Sequence, residues 1–249
     1  MNRSDEFQSP GIEHQRRFYN DRWSNQERSL NRLKLLRTIA ILDAVARTNI
    51  SEPAIVDLGC GEGWLPSILG HFGATHGVDL SDAALVEAAG RYPWVSFEHA
   101  DILNWDHPRA SFDIVVSQEV IEHIDDQTKY LRIALSLLKP GGYLILTTPN
   151  ARTFNSMPQA QRQAWSDQPI EKWLTRRELK SLLRQAEFDI VSVQTLIPWV
   201  GRGAWRTLAN SRRLRGSLRR LHLERLYEGR YLKHGLGLHT IAVAQSAST

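Results

Sequence analysis

The sequence has little that would mark a secreted or membrane-spanning protein. Its 249 residues include one cysteine, Cys60, which excludes an internal disulfide framework and fits a reducing compartment. No apolar run approaches the ~20 residues of a membrane-spanning helix. Residues 1–6 lack the apolar core of a signal peptide. We therefore expect a cytoplasmic protein.

Two common nucleotide-binding signatures are also missing from the most glycine-rich turn. Residues 55–65 read IVDLGCGEGWL, so an apolar run leads Asp57 into three alternate glycines. A G-x-G-x-x-G pattern that starts at Gly59 would need a glycine at Trp64, and a Walker loop would need a final Gly-Lys-Ser/Thr. Neither is present. Because glycine allows positive φ and close ligand approach, the segment still predicts a nucleotide-binding turn between a strand and a helix.

The composition is that of one globular domain. Hydrophobic residues make up 42% of the chain and charged residues 23%, so it can bury a sizeable single core. The formal net charge is +4 and the pI is near 9.4. This balance permits an anionic partner without requiring one.

Short apolar runs alternate with helix-like stretches along most of the chain. We predict an α/β fold, a doubly wound sheet of seven strands with helices on both faces. Ser24 or Asn25 can open an N-terminal helix, and Thr175 with Glu178 forms a capping box for a later one. The strands are expected near 54–58, 75–79, 95–98, 113–117, 143–148, 190–193 and 238–244, with helices around 63–72, 82–90 and 126–138.

The glycine turn resembles the first motif of a known enzyme family. Asp57-x-Gly59-x-Gly61-x-Gly63 is similar to that motif in the class I S-adenosylmethionine (AdoMet) dependent methyltransferases. The resemblance implies a Rossmann-like sheet of six parallel strands and one antiparallel strand, the final one being inserted antiparallel. Four later segments match family signatures in order: THGVDLS at 75–81, VSFEHADI at 95–102, FDIVVSQE at 112–119 and LKPGGYLILT at 138–147.

The second and third segments supply the predicted nucleoside end of the AdoMet site. Asp79 ends a short strand about twenty residues beyond the glycines, where a carboxylate can accept both ribose hydroxyls. The resemblance implies that Leu80 packs on the adenine. It also implies that Asp101 accepts from the exocyclic amine, with the apolar Ile102 beside it.

The turn itself supplies the predicted methionine end. The resemblance implies that Asp57 fixes the loop and the amino group, and that Gln118 lies where the main chain meets the methionine moiety. Tyr19, in an aromatic N-terminal segment, is expected to reach the AdoMet carboxylate or to pack onto the following helix. Three glycines are expected to let the backbone approach the cofactor: Gly59, Gly61 and Gly63.

The segment Glu119-Val120-Ile121-Glu122-His123 carries the predicted catalytic residues. If a helix begins here, Glu119, Glu122 and His123 face one side and can bind a divalent cation such as Mg²⁺, which would activate an acceptor hydroxyl. Without a metal, His123 can act as general base. The structural alternative is an acidic helix start with a packed histidine.

The same pattern looks like that of two kinds of methyltransferase. Glu-x-x-Glu-His is similar to a motif of ubiquinone-pathway O-methyltransferases and of small-RNA 3′-terminal 2′-O-methyltransferases. In the RNA enzymes a further histidine after the fifth strand completes the metal site. This chain has no histidine between His123 and His222, which weakens the metal and RNA interpretations.

A basic segment separates the last two predicted strands. Its leucines interleave with the cations, as in an amphipathic helix that lies on an anionic membrane or binds a polyanion, although a solvated helical lid fits equally. Only Glu224 and Glu228 oppose the cations. The cations are Arg202, Arg206, Arg212, Arg213, Arg215, Arg219, Arg220, Arg225, Arg230 and Lys233.

These patterns predict four segments and one activity. The segments are an N-terminal helical lid at 1–48, the AdoMet-binding core at 49–197, the basic insertion at 198–236 and a final strand and tail at 237–249. The activity is methyl transfer from AdoMet to a hydroxyl of a small or lipid-like acceptor, with 151–170 as a substrate-side loop. Alternatives are RNA 2′-O-methylation, N-methylation of a small amine or amino sugar, and a non-catalytic binding partner.

Overall fold

The structure is a computed structural model of the chain. It describes residues 10–25, 31–106, 109–163, 168–198 and 232–248, together with the single positions 216, 220 and 229. The predicted basic insertion, 198–236, lies almost entirely outside the described residues. Its proposed helical and membrane-binding character therefore stays a prediction, as do the four predicted segments.

Seven strands of the described chain form one mixed sheet. They run in the order β3-β2-β1-β4-β5-β7-β6. β7 pairs antiparallel with both β5 and β6, while the other pairings are parallel, so the predicted arrangement of six parallel strands and one antiparallel strand is confirmed. The strands are β1 Ile55–Leu58, β2 Thr75–Asp79, β3 Ser96–His99, β4 Phe112–Gln118, β5 Leu138–Pro149, β6 Asp189–Pro198 and β7 Gly237–Gln245.

Helices connect the strands and cover the sheet. Within the described residues, none is long and apolar enough to cross a membrane. The helices are α1 Ile12–Asn25, α2 Arg32–Arg47, α3 Trp64–Leu69, α4 Asp82–Arg91, α5 Gln127–Leu137, α6 Ala151–Phe154, α7 Gln159–Gln163 and α8 Arg176–Gln185.

Two local predictions about these helices are wrong. Ser24 and Asn25 do not open a helix, because they are the last residues of α1. The next helix starts at Arg32, and the side chain of Asn31 caps it by accepting a hydrogen bond from the Lys34 backbone N–H at 2.8 Å. The predicted loop at 151–170 contains the short helices α6 and α7.

The core has two halves, one on each face of the sheet. Alternate residues of the central strands point to opposite faces, so Val56 and Val115 pack on one side while Ile55 and Ile114 pack on the other. The first half includes residues of α5 and α8, and the second includes residues of α2 and α3. Each buried aliphatic side chain contributes ~1.5–3 kcal/mol. This packing holds the carboxyl ends of the strands in place, where ligands of such sheets bind.

Candidate functional site

A cavity of about 640 Å³ opens at the carboxyl edge of the sheet. It is lined by the ends of β1, β2, β4 and β5 and by residues of α1 and α2. The structure therefore brings most of the predicted site residues together around one cavity. Those in the wall are Tyr19, Asp57, Gly59, Gly61, Asp79, Leu80, Asp101, Ile102, Gln118, Glu119, Glu122 and His123.

The glycine turn is fastened to the end of β2 by backbone hydrogen bonds. The N–H groups of Gly59 and Cys60 both donate to the Val78 carbonyl, at 2.7 and 3.0 Å. Gly59 and Gly61 adopt positive φ, at 74° and 53°. A Cβ on Gly61 would lie 2.6 Å from the Trp23 ring of α1, so the turn needs glycine for both reasons.

Gly63 has a different place from the other two glycines of the turn. It does not line the cavity. It precedes α3 with φ of 77°, and a Cβ there would lie 2.8 Å from both Ala88 and Phe97. The structure thus gives Gly63 a packing role under the turn, and a cofactor contact for it stays a prediction.

Asp79 links the glycine turn to the start of α4. Its Oδ2 accepts from the Gly61 N–H at 2.7 Å, and its Oδ1 accepts from the Ser81 N–H at 2.8 Å. Burial raises the pKa of Asp79, although the backbone donors favour its charged form. A carboxylate has about four acceptor positions, and the backbone donors Gly61, Ser81 and Leu80 do not fill all of them, which leaves room for a ligand's hydroxyl.

Asp57 and Asp101 flank Asp79 along the same edge. Asp57 is buried, its Oδ1 has no hydrogen-bond partner among the residues that the structure describes, and burial followed by the nearby Asp79 charge raises its pKa well above the usual range. Asp101 accepts from the Leu103 N–H at 3.0 Å and from Asn104 Nδ2 at 2.6 Å. Three acids thus follow the ends of three adjacent strands.

This donor set fits AdoMet. An orphaned buried carboxylate oxygen at Asp57 suits the cationic amino group, since a buried charge needs a partner. Asp79 and Asp101 follow in the order that ribose hydroxyls and an adenine amine require. Within the described part of the chain, the buried Gln118 Nε2 also lacks a hydrogen-bond partner, and Gln118 lines the same cavity as Asp57.

Helix α1 closes one side of the cavity. Asn20 accepts from the Ser81 hydroxyl at 2.7 Å and donates to Asp82 Oδ1 at 2.6 Å, which ties α1 to the start of α4. Tyr19 lines the cavity, and burial followed by the Asp79 charge raises its pKa. The structure therefore keeps the Tyr19 hydroxyl protonated and able to donate to a carboxylate.

The predicted helix at Glu119 is wrong. Glu119 has φ of 58°, in the left-handed region, and only a short 3₁₀ turn follows at Ile121–His123. A non-glycine residue in this region interrupts any α-helix, so the spacing argument for Glu119, Glu122 and His123 does not hold. Their side chains have separate partners.

Glu122 and His123 line the same cavity, and an acceptor-binding role for them stays a prediction. Glu122 accepts from the Thr148 hydroxyl at 2.9 Å, and burial followed by the Glu119 charge raises its pKa well above the usual range. His123 Nδ1 lies 2.9 Å from the Ile170 carbonyl and must donate to it. In the neutral ring Nε2 is then the basic nitrogen, and it lies 3.8 Å from Glu122 Oε1.

Glu119 has two partners that the sequence did not suggest. His239 Nε2 lies 3.0 Å from Glu119 Oε2, and Arg37 Nη1 lies 3.7 Å from the same oxygen. Burial raises the pKa of Glu119, but Arg37 and His239 outweigh it and lower the pKa to about 2. No local motif marks Arg37 or His239, which stand 202 positions apart.

The predicted metal ligands do not fit a metal site. Glu119 is engaged by Arg37 and His239, and Glu122 and His123 have the separate partners given above. Across the described part of the chain, no group of three or more His, Cys, Asp or Glu side chains is arranged to hold a metal ion. We derive no step through Mg²⁺.

Aromatic rings form an apolar part of the same cavity wall. Phe154 of α6 packs against Trp173 with ring centroids 4.9 Å apart, and both line the cavity with Ile170 and Pro149. The cavity therefore joins a polar end at Glu122 and His123 to an apolar wall, the pattern of a site for a ligand with an apolar body and a polar head.

Two relatives match about half of the sequence. The chain is 31% identical over 141 residues to a probable S-adenosylmethionine-dependent methyltransferase of Mycolicibacterium smegmatis, covering 55% of this chain and 52% of that protein. It is 32% identical over 150 residues to a ubiquinone biosynthesis O-methyltransferase of Ruegeria pomeroyi, covering 55% and 60%. The chain spans about half the length of the curated relatives it matches.

A solved structure and a family match complete the comparison. Geranyl diphosphate C-methyltransferase from Streptomyces coelicolor A3(2) superposes with a TM-score of 0.65 over 96% of this chain and 99% of that chain. At 17% identity this likeness shows the fold alone. Residues 26–193 match the family described as a methyltransferase domain. With its seven-stranded sheet and ordered acids, the chain belongs to the class I S-adenosylmethionine-dependent methyltransferases.

Proposed function

We propose that the protein transfers a methyl group from AdoMet to a hydroxyl of a small or lipid-like acceptor. One observation carries the proposal: a single cavity joins the three acids of the AdoMet site to an acceptor side that has an apolar wall and a polar end. The name of the Ruegeria pomeroyi relative, a ubiquinone biosynthesis O-methyltransferase, supports the same acceptor class.

The residues of the cofactor side bind AdoMet and orient it. When bound, AdoMet supplies a methyl group that its sulfonium already activates. Asp57 holds the amino group, Asp79 accepts from the ribose hydroxyls and Asp101 accepts from the adenine amine. Tyr19 donates toward the methionine carboxylate, and α1 excludes water. Alignment of this kind is the main contribution that a protein makes to such a transfer.

His123, with Glu122 beside it, takes the proton from the acceptor hydroxyl. The Ile170 carbonyl holds His123 with Nδ1 protonated, so Nε2 is the nitrogen that can take a proton from the acceptor hydroxyl. Glu122 Oε1 lies 3.8 Å from that nitrogen, and the imidazolium that forms there favours the charged form of this otherwise raised-pKa carboxyl group. Phe154 and Trp173 bind the acceptor's apolar body.

N-methylation of an amine is the second candidate. The acceptor side carries Glu119, Glu122 and Glu171 in the cavity wall. Carboxylates stabilise an ammonium group. Loss of one proton from that group gives the neutral amine, which attacks the methyl group. This set of acids favours an amine acceptor over an anionic one.

A pair of measurements tests the proposal. Calorimetric titration with AdoMet should show binding, and radiolabelled methyl transfer should be detected to tert-butylcatechol or para-tert-butylphenol. The amine para-tert-butylaniline has the same apolar body and serves as the matched probe for N-methylation. Preferred methylation of the amine would replace the O-methylation proposal. Failure to bind AdoMet would leave a non-catalytic partner.

A further inference from the structure

One part of the cavity wall belongs to no helix and to no strand of the sheet. Residues 170–174, which we call the wall segment, directly precede the Thr175 cap of α8. The Leu174 carbonyl accepts from the Ala151 N–H at 3.1 Å, which ties the end of the segment to α6. Because backbone polar groups need partners, other contacts must hold the residues before it. Those that line the cavity are Ile170, Glu171 and Trp173.

The wall segment is fastened to the 3₁₀ turn at Ile121–His123. The Lys172 N–H donates to the Glu122 carbonyl at 2.7 Å. In the other direction, His123 Nδ1 donates to the Ile170 carbonyl at 2.9 Å. The position of the wall segment therefore fixes the carbonyl that orients the His123 imidazole.

Gln127 joins the same two pieces of chain from outside the cavity. It is the first residue of α5, next to the N-cap Asp126. Its Nε2 donates to the Ile121 carbonyl at 2.9 Å and to the Lys172 carbonyl at 3.0 Å. An amide nitrogen carries two protons, so it makes both hydrogen bonds at once. Gln127 does not line the cavity, so it acts on the site only through these carbonyls.

Lys172 and Asp125 make a second link between the turn and the wall segment. The Lys172 ammonium donates to the Asp125 carbonyl at 3.0 Å and pairs with the Asp125 carboxylate. Both side chains are about half exposed, and exposed ion pairs contribute little to stability. Two hydrogen bonds from one amide to two carbonyls therefore make the firmer link.

The proton on His123 depends on this arrangement. A carbonyl oxygen only accepts, so the Ile170 carbonyl keeps the proton of the neutral ring on Nδ1 and leaves Nε2 with its lone pair. A displacement of the wall segment by about 1 Å would break this hydrogen bond. The ring could then carry its proton on Nε2, where it could not accept another.

We propose that Gln127 is a positioning residue for methyl transfer. By binding the Ile121 and Lys172 carbonyls it holds the wall segment against the turn, which keeps His123 protonated at Nδ1 and leaves Nε2 able to take the acceptor's proton. The proposal rests on the proposed function, in which His123 is the base. The state of the His123 ring, however, can be measured without turnover.

Two variants separate the carbonyl link from the helix start. Gln127→Glu keeps the shape of the side chain, and an acid suits the first turn of a helix, but an ionised carboxylate cannot donate to carbonyls. Gln127→Leu removes the donors without adding a charge. Lys129→Gln, at an exposed residue of the same helix, is the matched control. Circular dichroism and AdoMet calorimetry should show an intact fold and an unchanged Kd in all three.

Nuclear magnetic resonance reads the tautomer of His123 directly. Long-range ¹H–¹⁵N spectra of histidine-labelled protein at pH 8 should show Nδ1 protonated in the wild type and in Lys129→Gln, with the signal assigned by its absence in His123→Asn. Gln127→Glu and Gln127→Leu should show a mixture of both tautomers. A wild-type ring protonated at Nε2, or the wild-type tautomer in both Gln127 variants, would overturn the proposal.

Turnover tests the consequence of the same contact. We expect both Gln127 variants to lower kcat for tert-butylcatechol about 10-fold, a part of the factor that a general base contributes. Lys129→Gln should keep the wild-type kcat. Wild-type kcat in both Gln127 variants would overturn the positioning role. Absence of methyl transfer by the wild type would instead overturn the proposed function, whereas the tautomer spectra decide the Gln127 contact by themselves.

Discussion

Buried carboxyl groups with raised pKa values stand along the cavity. Burial is the main cause at Asp57, Asp79 and Glu122. The folded protein then binds more protons than the unfolded chain between the ordinary and the raised pKa, so stability falls as the pH rises through that window. The pH dependence of stability due to Glu119 has the opposite sign. Its pKa is lowered to about 2, so its contribution to stability is present at neutral pH and is lost as the pH falls toward 2.

Glu122→Gln should raise the free energy of unfolding of the protein, although it should lower methyl-transfer activity. The amide oxygen can still accept from Thr148, and the cost of an ionised buried group disappears. We expect a gain of about 1 kcal/mol near pH 8 that shrinks toward pH 5, measured by thermal unfolding. Glu87→Gln, at a half-exposed residue of α4, is the control. An identical gain at both pH values would contradict the assigned cause.

Asp79→Ala should weaken AdoMet binding. Loss of the ribose contacts removes hydrogen bonds to a charged acceptor, so the Kd should rise about 10- to 100-fold. Calorimetry gives the Kd, and circular dichroism checks the fold, because Asp79 also holds the glycine turn. Glu87→Ala changes a partly exposed acid of α4 outside the cavity wall as a control. Unchanged affinity in Asp79→Ala with an intact fold would reject the pocket assignment.

At the scale of single elements, the start of a helix was predicted correctly where the sequence offers one clear N-cap residue. Thr175 and Glu178 form the predicted capping box in both directions, at 3.2 and 2.7 Å. The start of α2 was misplaced because Ser24, Asn25 and Asn31 are all acceptable N-caps. Only packing of the later residues on the sheet selects Asn31. The left-handed Glu119 was missed because no glycine marks it.

The Thr175 cap gives an element-scale prediction. Thr175→Ala should lower the free energy of unfolding by about 1 kcal/mol, since the N–H of Glu178 loses its acceptor. Thr175→Ser keeps the hydroxyl and should lose little. Chemical denaturation measures both variants. A loss of equal size in Thr175→Ser would attribute the effect to the missing methyl group rather than to the cap.

At the scale of the whole molecule, we propose a peripheral membrane contact through the basic insertion. Four of its cations, Arg212, Arg213, Arg219 and Arg220, are close in sequence. Arg220, the described residue among them, is exposed. Cations near an anionic surface contribute about 1 kcal/mol each.

Vesicle sedimentation tests that contact. The wild type should sediment with phosphatidylserine-containing vesicles, and replacing the four arginines by glutamine should abolish sedimentation. Vesicles of phosphatidylcholine alone are the control. A wild type that stays in the supernatant with anionic vesicles would end the membrane proposal, and binding to RNA in its place would revive the RNA alternative.

The linear sequence was sufficient for the sheet, the glycine turn and the acids Asp57, Asp79 and Asp101. Strand alternation, helix periodicity and turn glycines are local properties, and each acid stands next to the strand end that positions it. Their order along the chain resembles that of the family's motifs, and this resemblance predicted the AdoMet side, whose individual contacts stay predictions.

Only the tertiary structure decided the acceptor side. It replaced the assumed helix at Glu119 by a left-handed residue and a short 3₁₀ turn, and it joined Glu119 to Arg37 and His239. The physical reason is the insertion of β7 between β5 and β6, which carries His239 from near the chain's end to a position opposite Pro149 of β5. Such long-range contacts depend on strand order and register, which no local pattern encodes.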